Sequence, residues 1–281
     1  MPRSNWRASL LGMAFAFAPV TSAALPPVAS SSYCGDQILL RLAEPDQIKA
    51  LSRFAADRSV TLYPEAAARY PLIGGAAEEL LRLGARIVLA DSWGSGMTAA
   101  LAARFGIKVM PLPNAADFEE IAANTIAIAV AIGREEQGRA LVAEMRDRLA
   151  AVSAGAQQPQ PVAVYWRPGG GSAGKGTFVD AAMAAGGWRN LATALGRDGW
   201  TDIDLETFLA NRVDAVVTSF FDMDVRGEAA LFGRHPVFRA AQQRLPTVVV
   251  PGRTWTCGAW FTVLAVERLA AERSRLFGQR R

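Results

Sequence analysis

The sequence predicts an α/β protein of two lobes, each built on a parallel sheet, bridged by a single long helix. Three observations predict it. First, the stretch AEELLRLGARIVLADSW, from Ala77, returns in outline as LETFLANRVDAVVTSFF from Leu205. Each copy has a glutamate one residue in (Glu78, Glu206), then apolar helix, then a hydrophobic strand centred on Val88 or Val216 that stops at aromatics. Second, strand-like and helix-like runs alternate on both sides of a central segment, the pattern of a parallel sheet covered by helices. Third, that central segment, 117–152, keeps helical spacing and at 1.5 Å per residue reaches about 50 Å.

The elements follow in order. Residues 1–24 read as an export signal. Arg3 and Arg7 precede ASLLGMAFAFAPV, an apolar run too short to span a bilayer, and TSAA offers small residues for cleavage. Pro19 and then Pro26 and Pro27 would break a helix continued from it. The first lobe, 25–116, begins with the short strand VASSS, the helix DQILLRLA and the strand IKALS. The helix AAEELLRL, the strand RIVLA, the helix GMTAALAARF closed by Gly106, and the strand KVMPL complete it. The linking helix, 117–152, has its weakest point at Gly133. Beyond the polar turn SAGAQQPQP, the second lobe, 153–281, resumes with the strand VAVYW and the helices TFVDAAMAA and LETFLA. The strand DAVVTSF, the helix PVFRAAQQ, the strand TVVVP and the final helix AWFTVLAVERLAAERSRLF close the chain.

Composition narrows the function. Half of the 281 residues are apolar, 20 % are charged and the net charge is +4. That charge is too small and too scattered for a nucleic-acid binder, and the basic tail RSRLFGQRR reads as a solvated end. A single histidine, His235, with no clustered ligands gives no metal site. The same scarcity argues against a cysteine–histidine hydrolase, and no serine-nucleophile elbow occurs.

Ligands of open parallel sheets bind beyond the carboxyl ends of the strands. Read at those ends, the candidates are Tyr33 and Cys34 after the first strand and Trp93 after RIVLA. Trp166 and Arg167 follow VAVYW, Phe220 follows DAVVTS, and Arg253, Trp255 and Cys257 follow TVVVP. Recurrent flat apolar side chains at such positions predict a broad cleft for a large, partly apolar ligand. GGGSAGKGT fails as a phosphate loop, because Gly176 stands where serine or threonine would meet magnesium. It reads as a flexible cleft loop. Cys34 and Cys257 leave three readings open: a disulfide, which would lock a hinge, soft ligation of a metal in the cargo, or plain cleft lining.

Several segments together resemble a known family. YCGDQILLRLAEPDQIKALS, YPLIGGAAEELLRLGARIVLADSWG, the central helix, GKGTFVDAAMAAGGWRNLA and DLETFLANRVDAVV are similar to the periplasmic binding proteins of iron–siderophore and vitamin B12 importers. The resemblance covers nearly all of the chain after the leader. It implies two Rossmann-like lobes joined by a rigid helix, a cleft for one metal chelate, modest closure, and no cofactor. It also implies a partner, the ABC importer permease, whose arginines dock Glu78 and Glu206. Without the resemblance, those acids read as complements to a helix dipole. The GARIV stretch lacks the proline–aspartate pair often seen there, and YC and WTCG mark a subset of the family.

The expectation is a monomeric periplasmic receptor that performs no covalent chemistry. Its cargo is a corrinoid or a ferric siderophore, with the corrinoid favoured because only Arg167 and Arg253 are charged among the cleft candidates. Heme would lack an axial histidine, leaving Cys or Tyr. The rival readings are an exported enzyme with Cys34 or Cys257 as nucleophile, and a chaperone binding a soft metal through the cysteine pair.

Overall fold

Apolar runs such as VAS, IVLAD and VAVYW become buried parallel strands, and polar caps such as Ser32, Thr177 and Asp204 start helices after them. The computed structural model describes residues 24–91, 96–154, 160–221 and 228–278. The expected export signal, apart from residue 24, and Trp93 lie outside the described residues.

The first lobe runs β1 (Val28–Ser30), α1 (Tyr33–Leu42), β2 (Ile48–Ser52), α2 (Pro64–Ala67), β3 (Leu72–Ile73), α3 (Ala77–Arg82), β4 (Ile87–Asp91), α4 (Gly96–Ala103) and β5 (Lys108–Leu112). Its sheet has the order β3-β2-β1-β4-β5, all parallel, with Ala29 beside Val88 and Ser30 beside Leu89. Strand order reverses between β1 and β4. A crevice therefore opens at the carboxyl ends of these two strands.

The central segment is two helices, which corrects the single rod expected over 117–152. α5 (Phe118–Ala131) and α6 (Glu135–Ala154) fold back on each other. Arg146 of α6 pairs with Glu119 at the start of α5, and Gly138 packs on Ala129 near the end of α5. Gly133, at φ +75°, turns the chain at the point where the helical pattern was weakest. α6 alone is about 30 Å long.

The second lobe runs β6 (Val162–Trp166), β7 (Gly171–Ala173), α7 (Phe178–Ala185), β8 (Arg189–Asn190), α8 (Leu191–Ala194), β9 (Trp200–Asp202) and α9 (Leu205–Ala210). β10 (Ala215–Thr218), α10 (Glu228–Arg234), α11 (Pro236–Arg244), β11 (Thr247–Val249) and α12 (Val263–Phe277) complete it. Its parallel sheet has the order β11-β10-β6-β8. The repeated sequence segments occupy matching places: β4 lies between β1 and β5, as β10 lies between β6 and β11. Val88 and Val216 are both buried at those centres.

The glycine-rich segment is not the flexible loop expected. β7 pairs antiparallel with β9, Gly171 opposite Asp202 and Ala173 opposite Trp200. A side chain at Gly174 would lie 2.1 Å from the carbonyl oxygen of Arg197, so glycine is needed there for close backbone approach. Thr177 then caps α7 by accepting from the Asp180 N–H.

One hydrophobic core runs through both lobes and the hairpin, from Leu39 and Leu51 through Ile121 and Met145 to Trp255 and Phe261. At the back, Arg148 of α6 pairs with Glu267 of α12, and Arg41 of α1 with Glu144 of α6.

Candidate functional site

The candidate site is a cavity between the lobes, at the strand-order reversal of the first sheet. Its geometry begins at Ser32. This residue caps α1 by accepting from the N–H groups of Cys34 and Gly35, and its hydroxyl donates to Asp91 Oδ1 at the end of β4. The cap holds Tyr33 and Cys34 in the first helical turn at the cavity wall. Burial, and then the nearby Asp91 carboxylate, push the Tyr33 phenol above its ordinary pKa. Its ring meets Phe54 edge-on at 6.3 Å.

The opposite wall comes from the second lobe. Phe178, at the start of α7, and Trp200, of β9, pack edge to face at 5.6 Å. The Arg167 guanidinium lies 5.2 Å from the Trp200 ring centre. α5 contributes Ile121, Asn124, Thr125 and Ile128, and the segment after β5 contributes Asn114. Thr256, Cys257, Gly258 and Ala259 reach in from the far end of the chain. Cys34 and Cys257 form a disulfide with their Cα atoms 6.2 Å apart, so the covalent bridge joins the lobes inside the cavity lining. The cavity volume is about 250 Å³, just under the lower end of ligand sites, about 300–1,000 Å³. Among the described residues its lining holds no lysine, arginine or histidine.

The periplasmic binding protein family profile matches residues 76–240. The chain belongs to that family. A curated cobalamin-binding protein of Halobacterium salinarum is 27% identical over 191 residues, covering 65% of this chain and 50% of that protein. The chain thus spans about half the length of the curated relatives it matches. Solved structures share this fold, two of them from Vibrio cholerae. The periplasmic heme-binding protein HutB of Vibrio cholerae superposes with a TM-score of 0.72 at 18% identity, covering 89% of this chain and 98% of that one. The periplasmic vitamin B12 binding protein BtuF of Vibrio cholerae gives 0.66 at 18% identity, covering 90% and 98%.

In this periplasmic binding protein the residues expected at the site divide in two. Tyr33, Cys34 and Cys257 meet at the cavity, and Arg167 reaches its edge through Trp200. Trp166 is instead fully buried in the second lobe's core among Phe208, Phe232 and Phe238, its indole N–H donating to the Ile203 carbonyl. Trp255 is buried edge-on to Tyr165 and is no part of the lining. Phe220, at φ +64°, packs over Gly252, and Arg253 is exposed outside the cavity. Both faces of a parallel sheet are covered, so a strand-end aromatic enters the core as readily as the cleft.

Sequence reasoning missed Trp200, Phe178, Asn114, Asn124 and Thr256. Asn114 was within reach, since it follows the carboxyl end of β5. Trp200 gave no signal, because its strand pairs only with a glycine-rich partner 27 residues away. Glu78 and Glu206 lie exposed in the first turns of α3 and α9. The helix starts are served by other acids. Glu79 accepts from the N–H groups of Gly74, Gly75 and Ala76, and Asp204 caps α9 through Thr207.

Proposed function

We propose that this chain is the periplasmic receptor of an ABC importer and that its cargo is a corrinoid. The observation that carries the cargo is the cation-free lining: aromatic faces from Phe178 and Trp200, amides from Asn114 and Asn124, a hydroxyl from Thr256, and, among the described residues, no cation. Asp91, the one carboxylate among the described lining residues, already accepts from Ser32. A corrinoid carries amides around an apolar macrocycle and matches such a wall in kind. Ferric catecholates and carboxylates are anionic and would leave their charge uncompensated there. The macrocycle exceeds about 250 Å³, so it seats with part of its rim at the mouth.

Export through the leader at 1–24 places this receptor in the periplasm. Delivery uses Glu78 and Glu206. Because Glu79 and Asp204 already serve the two helix starts, the matched glutamates are left for a basic partner. Two acids at fixed separation on one body orient the receptor as well as attract it. The cysteine-nucleophile and soft-metal readings both require a free thiolate, and each sulfur is bonded to the other.

Heme is the second reading, with the Tyr33 phenolate on iron. Burial and Asp91 both oppose phenolate formation, which favours the corrinoid. The test is a titration of the purified protein with cyanocobalamin, dicyanocobinamide, hemin and ferric siderophores, followed by tryptophan fluorescence. Micromolar or tighter binding of cyanocobalamin is expected. Binding of hemin alone would overturn the cargo, and silence with every ligand would overturn the cavity as a cargo site.

A further inference from the structure

Three contacts tie the segment 255–262 of the second lobe to the first lobe. Cys257 is bonded to Cys34 in the first turn of α1. Gly258 comes so close to Ala115, just past β5, that an added Cβ would stand 3.1 Å from the Ala115 Cβ and 3.0 Å from Phe178. The Trp260 ring lies under the Arg41 guanidinium at 5.7 Å, near the other end of α1. Arg41 in turn pairs with Glu144 of α6. Thus α1 is held to the second lobe at both of its ends, while Thr256, Cys257, Gly258 and Ala259 all face the cavity.

We propose that this segment is a strut that sets the width of the cleft, with the Cys34–Cys257 disulfide as its fixed joint, and that the receptor selects cargo by size through it. The proposal rests on the inter-lobe cavity being the cargo site. Two lobes on a packed hairpin can part only if the strut leaves α1 and Ala115. With the bond intact, the cavity is preorganised at one width, and cargo binding loses little to closure. With the bond cut, only the van der Waals seat of Gly258 and the contact of Arg41 with Trp260 resist parting, and as these break and re-form the lobes separate over a range of widths. A ligand too bulky for the fixed aperture then gains access, while a well-fitting one is held less long.

The experiment compares the oxidised protein with the same protein treated with a dithiol. The dithiol gives two electrons and two protons to the S–S bond and ends as its own cyclic disulfide. A Cys34→Ser/Cys257→Ser variant and a Gly258→Val variant, the latter with its disulfide intact, complete the set. Hydrogen exchange over 33–42 and 252–262 and the radius of gyration from small-angle scattering report the aperture without any cargo. Cyanocobalamin and the smaller dicyanocobinamide report selection. Expected are faster exchange in both segments, a larger radius, about tenfold weaker binding of the better-fitting corrinoid, and a flattened ratio between the two. Gly258→Val should shift the same ratio without reduction. Unchanged exchange and radius after reduction would overturn the strut, as would global unfolding, which makes the bond a general staple. If neither corrinoid binds any form, the cargo reading fails, and exchange and scattering still decide the strut.

Discussion

Asp36 is fully buried in the first turn of α1, where Ser52 donates both its N–H and its hydroxyl to the carboxylate. Burial outweighs these bonds and pushes its pKa from 3.8 up to about 6. The folded state therefore holds the proton more tightly than the unfolded chain. The contribution of this group to stability is greatest below about pH 4, falls by about 3 kcal/mol as pH rises to about 6, and is constant above. Asp36→Asn should remove that slope, and urea midpoints at pH 4, 5, 6 and 7 check it; equal slopes in both proteins would contradict the assignment. Trp200 is 48% exposed at the cavity, whereas Trp166, Trp188, Trp255 and Trp260 are buried. Trp200→Ala should weaken cargo binding about tenfold, and Trp200→Phe should diminish the cargo-induced fluorescence change, both read by titration. The contrast between Trp200 and Trp166 also explains why the site was only partly legible. Residue type marks an aromatic as buried or binding-prone, but which face of a sheet it enters depends on strand register, which no local pattern carries.

At the scale of elements, the α5–α6 hairpin depends on a glycine that helix propensity disfavours. Alanine at position 138 would gain about 1 kcal/mol as a helix former. Its Cβ would also fall 2.3 Å from that of Ala129, forcing the helices apart. Overpacking of this kind costs about 1–3 kcal/mol. Gly138→Ala should therefore be net destabilising by about 1 kcal/mol, seen as a lowered thermal midpoint, and a raised midpoint would show the hairpin to be loose. The β-α alternation of both lobes was readable because each strand and each helix carries its own hydrophobic period. The hairpin was not, since α5 and α6 both keep helical spacing and only Gly133, in the three-residue turn between them, interrupts it. The β7–β9 arm was hidden for another reason. Its stability comes from pairing two short strands distant in sequence, one of them rich in glycine, so neither strand shows alternation alone.

For the molecule as a whole, the two glutamates proposed to dock and the covalent bridge make separate predictions. Glu78→Arg/Glu206→Arg should leave cargo affinity unchanged and abolish cargo-stimulated ATP hydrolysis by the reconstituted importer, with each single change weaker than the pair. Undiminished hydrolysis in the double variant would remove these residues from docking. The disulfide closes a loop of 223 residues in sequence separation, for which chain entropy gives about 5 kcal/mol as an upper figure. Cys34→Ser/Cys257→Ser should shift the urea midpoint by an amount corresponding to about 2–5 kcal/mol, and no shift would mean that the unfolded chain gains nothing from being cut free.

That long separation also imposes an order of events during synthesis. Cys34 emerges 223 residues before its partner, an interval of about 10–45 s at ordinary elongation rates. During that wait its thiol has no intramolecular mate. With two cysteines in the whole chain, only one internal pairing exists, so late oxidation needs no isomerase to correct it.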